Sequence, residues 1–149
     1  YDTKIDMWSV GCIIAEMFRR SGLLKGSDET TQLNLIFHSC GHPCVNDWPQ
    51  IKSKCPLWTN YELKSGETPL PSKLRQVLKQ RLPNPAWMTE SAIELISNLL
   101  TYNPDKRWSA GTAVAANYFY ENPMVKEAPQ LSMRFSVDSV HEWEARKKH

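Results

Sequence analysis

Tyr1-Asp2-Thr3-Lys4-Ile5-Asp6-Met7-Trp8-Ser9-Val10-Gly11-Cys12-Ile13-Ile14-Ala15-Glu16-Met17-Phe18 is the stretch that decides the fold of this chain. Between Met7 and Phe18 only Ser9, Gly11 and Glu16 interrupt an apolar run, which leaves little polar stripe for water. A helix apolar on every side is stable only inside a larger body. About a dozen such residues are too few to cross a bilayer, and Glu16 would be buried in it. The segment is therefore expected to be the buried central helix of a domain. Thr3 followed by Asp6 has capping-box spacing, and a carboxylate suits a helix N-terminus. Arg19, Arg20, Ser21 and Gly22 supply a basic last turn and a glycine stop at about Arg20. Gly11 costs the helix about 1 kcal/mol against alanine. It is expected where another element comes close.

The chain of 149 residues is long enough for one domain with a real core and too short for two. It opens on Tyr1 without a charged-then-apolar leader, so it is expected to be a segment of something longer. A net charge of +2, with both signs interspersed, does not call for nucleic acid, and no direct binding to it is expected. Arg146-Lys147-Lys148 reads as a solvated tail. No apolar run reaches membrane-spanning length, so no membrane partner is expected and the location is nuclear or cytoplasmic. Cys12, Cys40, Cys44 and Cys55 form no obvious disulfide framework and are expected as reduced thiols, Cys12 as a small core residue. His38-Ser39-Cys40-Gly41-His42-Pro43-Cys44 alternates zinc-ligand types. Structural zinc sites instead pair their ligands on a turn and repeat the pair. A helix end followed by a turn is the expected reading, with no metal ligands.

Further along, a helix is predicted from Ser27 to a stop at Gly41, with Leu33, Leu35, Ile36 and Phe37 on its apolar face. Residues 42 to 71 lack a steady period. Their aromatic content (Trp48, Trp58 and Tyr61, with Leu57 and Leu63) predicts a loop that packs down on the domain. Ser72 to about Leu82 reads as a short helix with Leu74, Val77, Leu78 and Leu82 on one face. Thr89 is the expected N-cap of a helix carrying Ala92, Ile93, Leu95, Ile96, Leu99 and Leu100, which must end before Pro104. Ser109 caps a small helix, and Tyr118-Phe119-Tyr120 close the body. Residues 1–123 form the expected domain and 124–149 an extended tail. No strand is predicted, so the fold class is all-α.

Several separated stretches resemble one family in order and spacing. The Asp6-Met7-Trp8-Ser9-Val10-Gly11-Cys12 segment with Ala15-Glu16-Met17 is similar to the D-x-W-S-x-G-C-x-x-A-E-M segment of eukaryotic Ser/Thr protein kinases, in the form of the cyclin-dependent family. Gly26-Ser27-Asp28-Glu29-Thr30-Thr31-Gln32-Leu33 resembles its G-x-x-E-x-x-Q-L stretch. Cys40-Gly41-His42-Pro43 stands at its L-G-x-P turn, with Trp48-Pro49 following. Leu99-Leu100-Thr101-Tyr102-Asn103-Pro104-Asp105-Lys106-Arg107 resembles L-L-x-x-D/N-P-x-x-R, and Ser109-Ala110 with Asn117-Tyr118-Phe119-Tyr120 the family's ending. The Met17-Phe18-Arg19-Arg20-Ser21 continuation and Ser139-Val140-His141-Glu142-Trp143-Glu144-Ala145 favour the transcription-regulating branch. Asn117 departs from the usual histidine, Trp108 from the usual aliphatic residue, and residues 50 to 88 match poorly.

The resemblance implies the helical part of the C-terminal lobe of a protein-kinase fold. It implies a parent enzyme that uses ATP and Mg to phosphorylate Ser or Thr, in a proline-directed manner, with a cyclin and a protein substrate as partners. Asp6 would accept hydrogen bonds from the catalytic loop, Trp8 would pack beneath the activation segment, and Arg107 would pair with a glutamate at that segment's end. None of the three is a catalyst. Phosphoryl transfer also needs a glycine-rich loop, a strand lysine, an H-R-D-type aspartate and a D-F-G metal ligand. None of these motifs occurs in this chain, so no catalytic, cofactor-binding or metal residue is expected, and the segment alone should be inactive. It should act as scaffold and docking surface and tend to self-associate through uncovered apolar area. The competing expectation is a non-catalytic, kinase-derived helical interaction module.

Overall fold

The computed structural model describes residues 3–80 and 82–122. The expected tail at 124–149 lies outside the described residues. Six α-helices follow one another: α1 (Lys4–Arg19), α2 (Glu29–Cys40), α3 (Ile51–Lys54), α4 (Leu74–Lys79), α5 (Glu90–Leu99) and α6 (Ala110–Val114). Short 3-10 turns occur at Pro56–Asn60, Pro85–Trp87 and Asn117–Tyr120, and no strand is present among the described residues. The all-α expectation holds there.

The core forms where α1 lies against α5, the most extensive packing between elements. The α5 helix contributes Ala92, Ile93, Leu95, Ile96 and Leu99, all at most 4% exposed. They recur every three or four residues, so they share one face, the pattern of a helix half sunk in a core. Opposite them Gly11 meets that face. A Cβ at Gly11 would come within 2.8 Å of Leu99 Cβ and 3.1 Å of a Leu100 methyl, so glycine is what lets the two helices approach. One cluster gathers Ala15, Leu74, Leu78, Ile96 and Leu100 with Met88. A second joins Leu95 and Leu99 to Ala113 and Ala116. Tyr118 packs against both and meets Phe18 edge-on at 5.9 Å.

Side-chain caps start three of the six described helices, α2, α5 and α6. Thr89 accepts from Ala92 N–H and Ser109 from Thr112 N–H, as their sequence contexts predict. Asp28, one residue inside the predicted start at Ser27, caps α2 by accepting from Thr31 N–H at 2.9 Å. Gly41 ends α2 with φ +87°, and a Cβ there would meet Ser72 N at 2.9 Å, so no other residue fits without strain. The capping box at Thr3 is not formed. Thr3 is already helical (φ −52°, ψ −17°) and makes no side-chain cap bond, because a capping hydroxyl needs an extended backbone at that position. The left-handed stop of α1 is Arg20 (φ 53°), not Gly22. Glu16 holds the following turn by accepting from Leu23 N–H at 2.8 Å, which offsets the cost of that conformation. The 42–71 segment does pack down, through buried Ile51 and Trp58, but carries a helical turn that its composition hides. Leu57 points outward, 67% exposed.

Burial of α1 is one-sided. Gly11 and Ala15 are buried, whereas Ile5, Val10, Ile13 and Met17 are 37–74% exposed along the opposite face. The described residues thus cover only half of a helix whose sequence is apolar all round. No helix among them is long and apolar enough to cross a membrane.

Candidate functional site

The N-terminus of α1 and the loop between α5 and α6 are tied by a reciprocal clasp. Lys4 Nζ donates to the Arg107 carbonyl at 2.5 Å, and an Arg107 terminal N–H donates back to the Lys4 carbonyl at 2.6 Å. Arg107 is only 8% exposed. Its Nε–H donates to the Thr101 carbonyl at 2.8 Å and its second terminal nitrogen to the Tyr102 carbonyl at 3.1 Å. The guanidinium thus sits in a cage of backbone oxygens, where its fixed fork of donors suits several acceptors at once. Its carbon lies 5.2 Å from the centroid of the Trp8 ring, a cation–π contact.

The Asn103-Pro104-Asp105 turn sets this cage. Asn103 is buried and accepts from Asp105 N–H at 3.0 Å, while the Arg107 amide bonds to the Asn103 carbonyl. The chain therefore reverses tightly enough for Arg107 to return to carbonyls 101 and 102. Trp8 is half-buried and stacks, tilted, on Tyr102 at 5.7 Å. The Tyr102 hydroxyl donates to the Gly41 carbonyl at 2.8 Å, with the Ile36 carbonyl 3.3 Å away. Burial, with the nearby Cys40 thiol as a lesser cause, pushes the Tyr102 hydroxyl pKa far up, so it stays a donor.

Of the three residues singled out from sequence, Trp8 and Arg107 come together and Asp6 does not join them. Asp6 is exposed in the first turn of α1, with no hydrogen-bond or ion-pair partner among the described residues. Sequence reasoning missed Lys4 and Tyr102. The available signal for Lys4 is a cation in the first turn of a helix, where the macrodipole disfavours it. Such a residue needs a compensating acceptor, and the Arg107 carbonyl is one. Beside the cage lies a groove of about 420 Å³ whose lining includes Trp8, Leu33, Phe37, Trp58 and Arg107.

The remaining motifs fold as caps and turns. Gln32 reaches back to accept from Gly26 N–H at 2.8 Å, which explains the spacing of that glycine and glutamine. Both ring nitrogens of His42 lie on backbone carbonyls, Pro43 at 3.1 Å and Tyr61 at 3.0 Å. Burial, then the neighbouring Cys12, pushes the Cys40 thiol up to about 12. Among the described residues no three His, Cys, Asp or Glu side chains gather as metal ligands. Gly11 and Gly41 face leucines and the 70–72 backbone, not an open cradle. Gly11 and Gly41 thus leave no room for a phosphate.

A model of the protein kinase domain matches residues 1–119. Cyclin-dependent kinase C-2 of Arabidopsis thaliana is 35% identical over 148 residues, which are 99% of this chain and 26% of that protein. Human Cyclin-dependent kinase 10 is 38% identical over 133 residues, 89% of this chain and 34% of that protein. The chain thus spans about a quarter to a third of the length of these relatives. Among solved structures, the crystal structure of the yeast RNA Pol II CTD kinase CTDK-1 complex superposes with a TM-score of 0.70 at 31% identity. That match covers 85% of this chain and 39% of the other.

Proposed function

The chain belongs to the protein kinase family, and we propose that it serves as the helical scaffold of the large lobe of a cyclin-dependent-type Ser/Thr kinase. The parent transfers the ATP γ-phosphate to Ser or Thr, before proline, with Mg as its ion and a cyclin as its partner. The observation that carries this reading is the Lys4–Trp8–Arg107 cage. It spends a buried arginine and an aromatic on fixing the position of one loop against the start of one helix. Such an anchor supports the scaffold reading by making the start of α1 and the loop between α5 and α6 one platform. Asp6 then offers its exposed carboxylate to the catalytic loop through charge-assisted hydrogen bonds. Arg107, bonded to the carbonyls of residues 4, 101 and 102, fixes the loop between α5 and α6 that faces the activation loop. Trp8 forms the floor between them. The exposed flank of α2 is the docking surface for protein partners. The outward apolar stripe of α1 leads the separate segment to self-associate.

The test compares the 149-residue chain with the protein encoded by its complete reading frame. The complete protein, with cyclin, should phosphorylate a Ser-Pro peptide when given Mg-ATP. Calorimetry of the chain alone should show no heat of nucleotide binding. Saturable ATP binding by the chain alone would overturn the scaffold role, and an inactive complete protein would favour the non-catalytic module.

A further inference from the structure

The Tyr102 side chain touches more of the anchor than its place in a turn requires. Its ring lies on Trp8 of α1. Its carbonyl accepts from Arg107, and its hydroxyl reaches the carbonyl that ends α2. That carbonyl belongs to Gly41, whose neighbours cannot yield separately. His42 N–H bonds to the Leu70 carbonyl at 2.9 Å and Lys73 N–H to the Ser39 carbonyl at 3.0 Å. Asn103, the next residue, adds a second tie in the same direction, donating to the Asp47 carbonyl at 3.2 Å. The anchor and the C-terminal end of α2 are thus joined through one side chain with a rigid ring and one rotatable hydroxyl.

We propose that Tyr102 is a positioning residue whose hydroxyl couples α2 to the Trp8–Arg107 anchor, so that the docking helix and the loop seat move as one unit. The proposal rests on the reading of Trp8 and Arg107 as a loop seat, but the coupling can be measured without it. A restrained α2 would hold a docked protein substrate in register with the activation loop, leaving nucleotide binding untouched.

Hydrogen exchange on the complete protein decides the coupling. Tyr102→Phe keeps the ring on Trp8 and removes one hydrogen bond, worth about 2- to 10-fold in local protection. Protection should fall in residues 36–41 and, together with them, in residues 4–8. Trp8→Phe should lower protection in 36–41 in the wild-type background and not in the Tyr102→Phe background. A loss confined to 36–41 in Tyr102→Phe, or a Trp8→Phe effect equal in both backgrounds, overturns the coupling. In kinetics, Tyr102→Phe should raise KM for a folded protein substrate by about 2- to 10-fold with KM for ATP unchanged. An unchanged protein-substrate KM overturns the positioning role. A wild-type protein without kinase activity removes the functional reading instead, and the exchange result then decides the coupling alone.

Discussion

Arg107 shows how one side chain can organise a site. Its side chain donates to three backbone carbonyls, so Arg107→Ala removes three hydrogen bonds from part-buried acceptors. Charge-assisted bonds of this kind are worth about 1.5–3 kcal/mol each, and the loss of several should cost about 3 kcal/mol or more. Arg107→Lys should recover little of this, because an ammonium cannot serve the divergent acceptors of the fork. Urea denaturation of the three proteins checks both, and a lysine variant as stable as wild type would sink the geometric argument. Cys40 makes a pH prediction. Burial raises its folded pKa to about 12, above the ordinary thiol value of 9.0, so the folded state favours the protonated thiol. That contribution is fully present below about pH 9 and is lost as pH rises from there toward 12. Alkylation at pH 9 followed by mass spectrometry should therefore label Cys40 far more slowly in the folded chain than in urea. The Asn-Pro-Asp-Lys-Arg context singled out Arg107 through the resemblance, as the partner of a glutamate; its bonds to the carbonyls of residues 4, 101 and 102 were not legible. Nor were Tyr102 and Lys4, because their partners lie 61 to 103 residues away.

Among the elements, the α1–α5 contact is the sharpest test of packing. Gly11→Ala adds a methyl that must displace Leu99 Cβ or Leu100. Overpacking costs about 1–3 kcal/mol, set against about 1 kcal/mol of gained helix propensity. Net destabilisation is expected, read as a lower urea midpoint with unchanged m-value. A stabilised variant would show that the helices can part freely. Thr89→Ala should cost about 1 kcal/mol by leaving the first turn of α5 without its cap. Caps of this kind are readable because acceptor and amide lie three residues apart. Thr3 has the same residue type and spacing but no cap, because its φ and ψ are already helical. Local sequence could not reveal that. The helical turn at Ile51–Lys54 was likewise illegible, since four residues hold no period and tertiary burial of Ile51 stabilises it.

For the whole molecule, the exposed stripe Ile5, Val10, Ile13 and Met17 has the consequence most easily seen in solution. The 149-residue chain should self-associate, and Ile13→Lys with Met17→Lys should restore a monomer without loss of helix content. Light scattering across a dilution series, with circular dichroism on the same samples, measures this. A monomeric unsubstituted chain at high concentration would refute self-association through the stripe. Composition and period by themselves determined the all-helical class, the cap residues Thr89 and Ser109 and the stop at Gly41. Each depends on residues within a few positions of one another, or on the average polarity of a face. The motif spacings, in turn, determined the family. Only the tertiary structure decided which half of α1 is covered, where Arg107 finds its acceptors and which residues join the anchor to α2. Those outcomes depend on backbone carbonyls brought together from distant parts of the chain, and no side-chain pattern encodes the direction in which a carbonyl points.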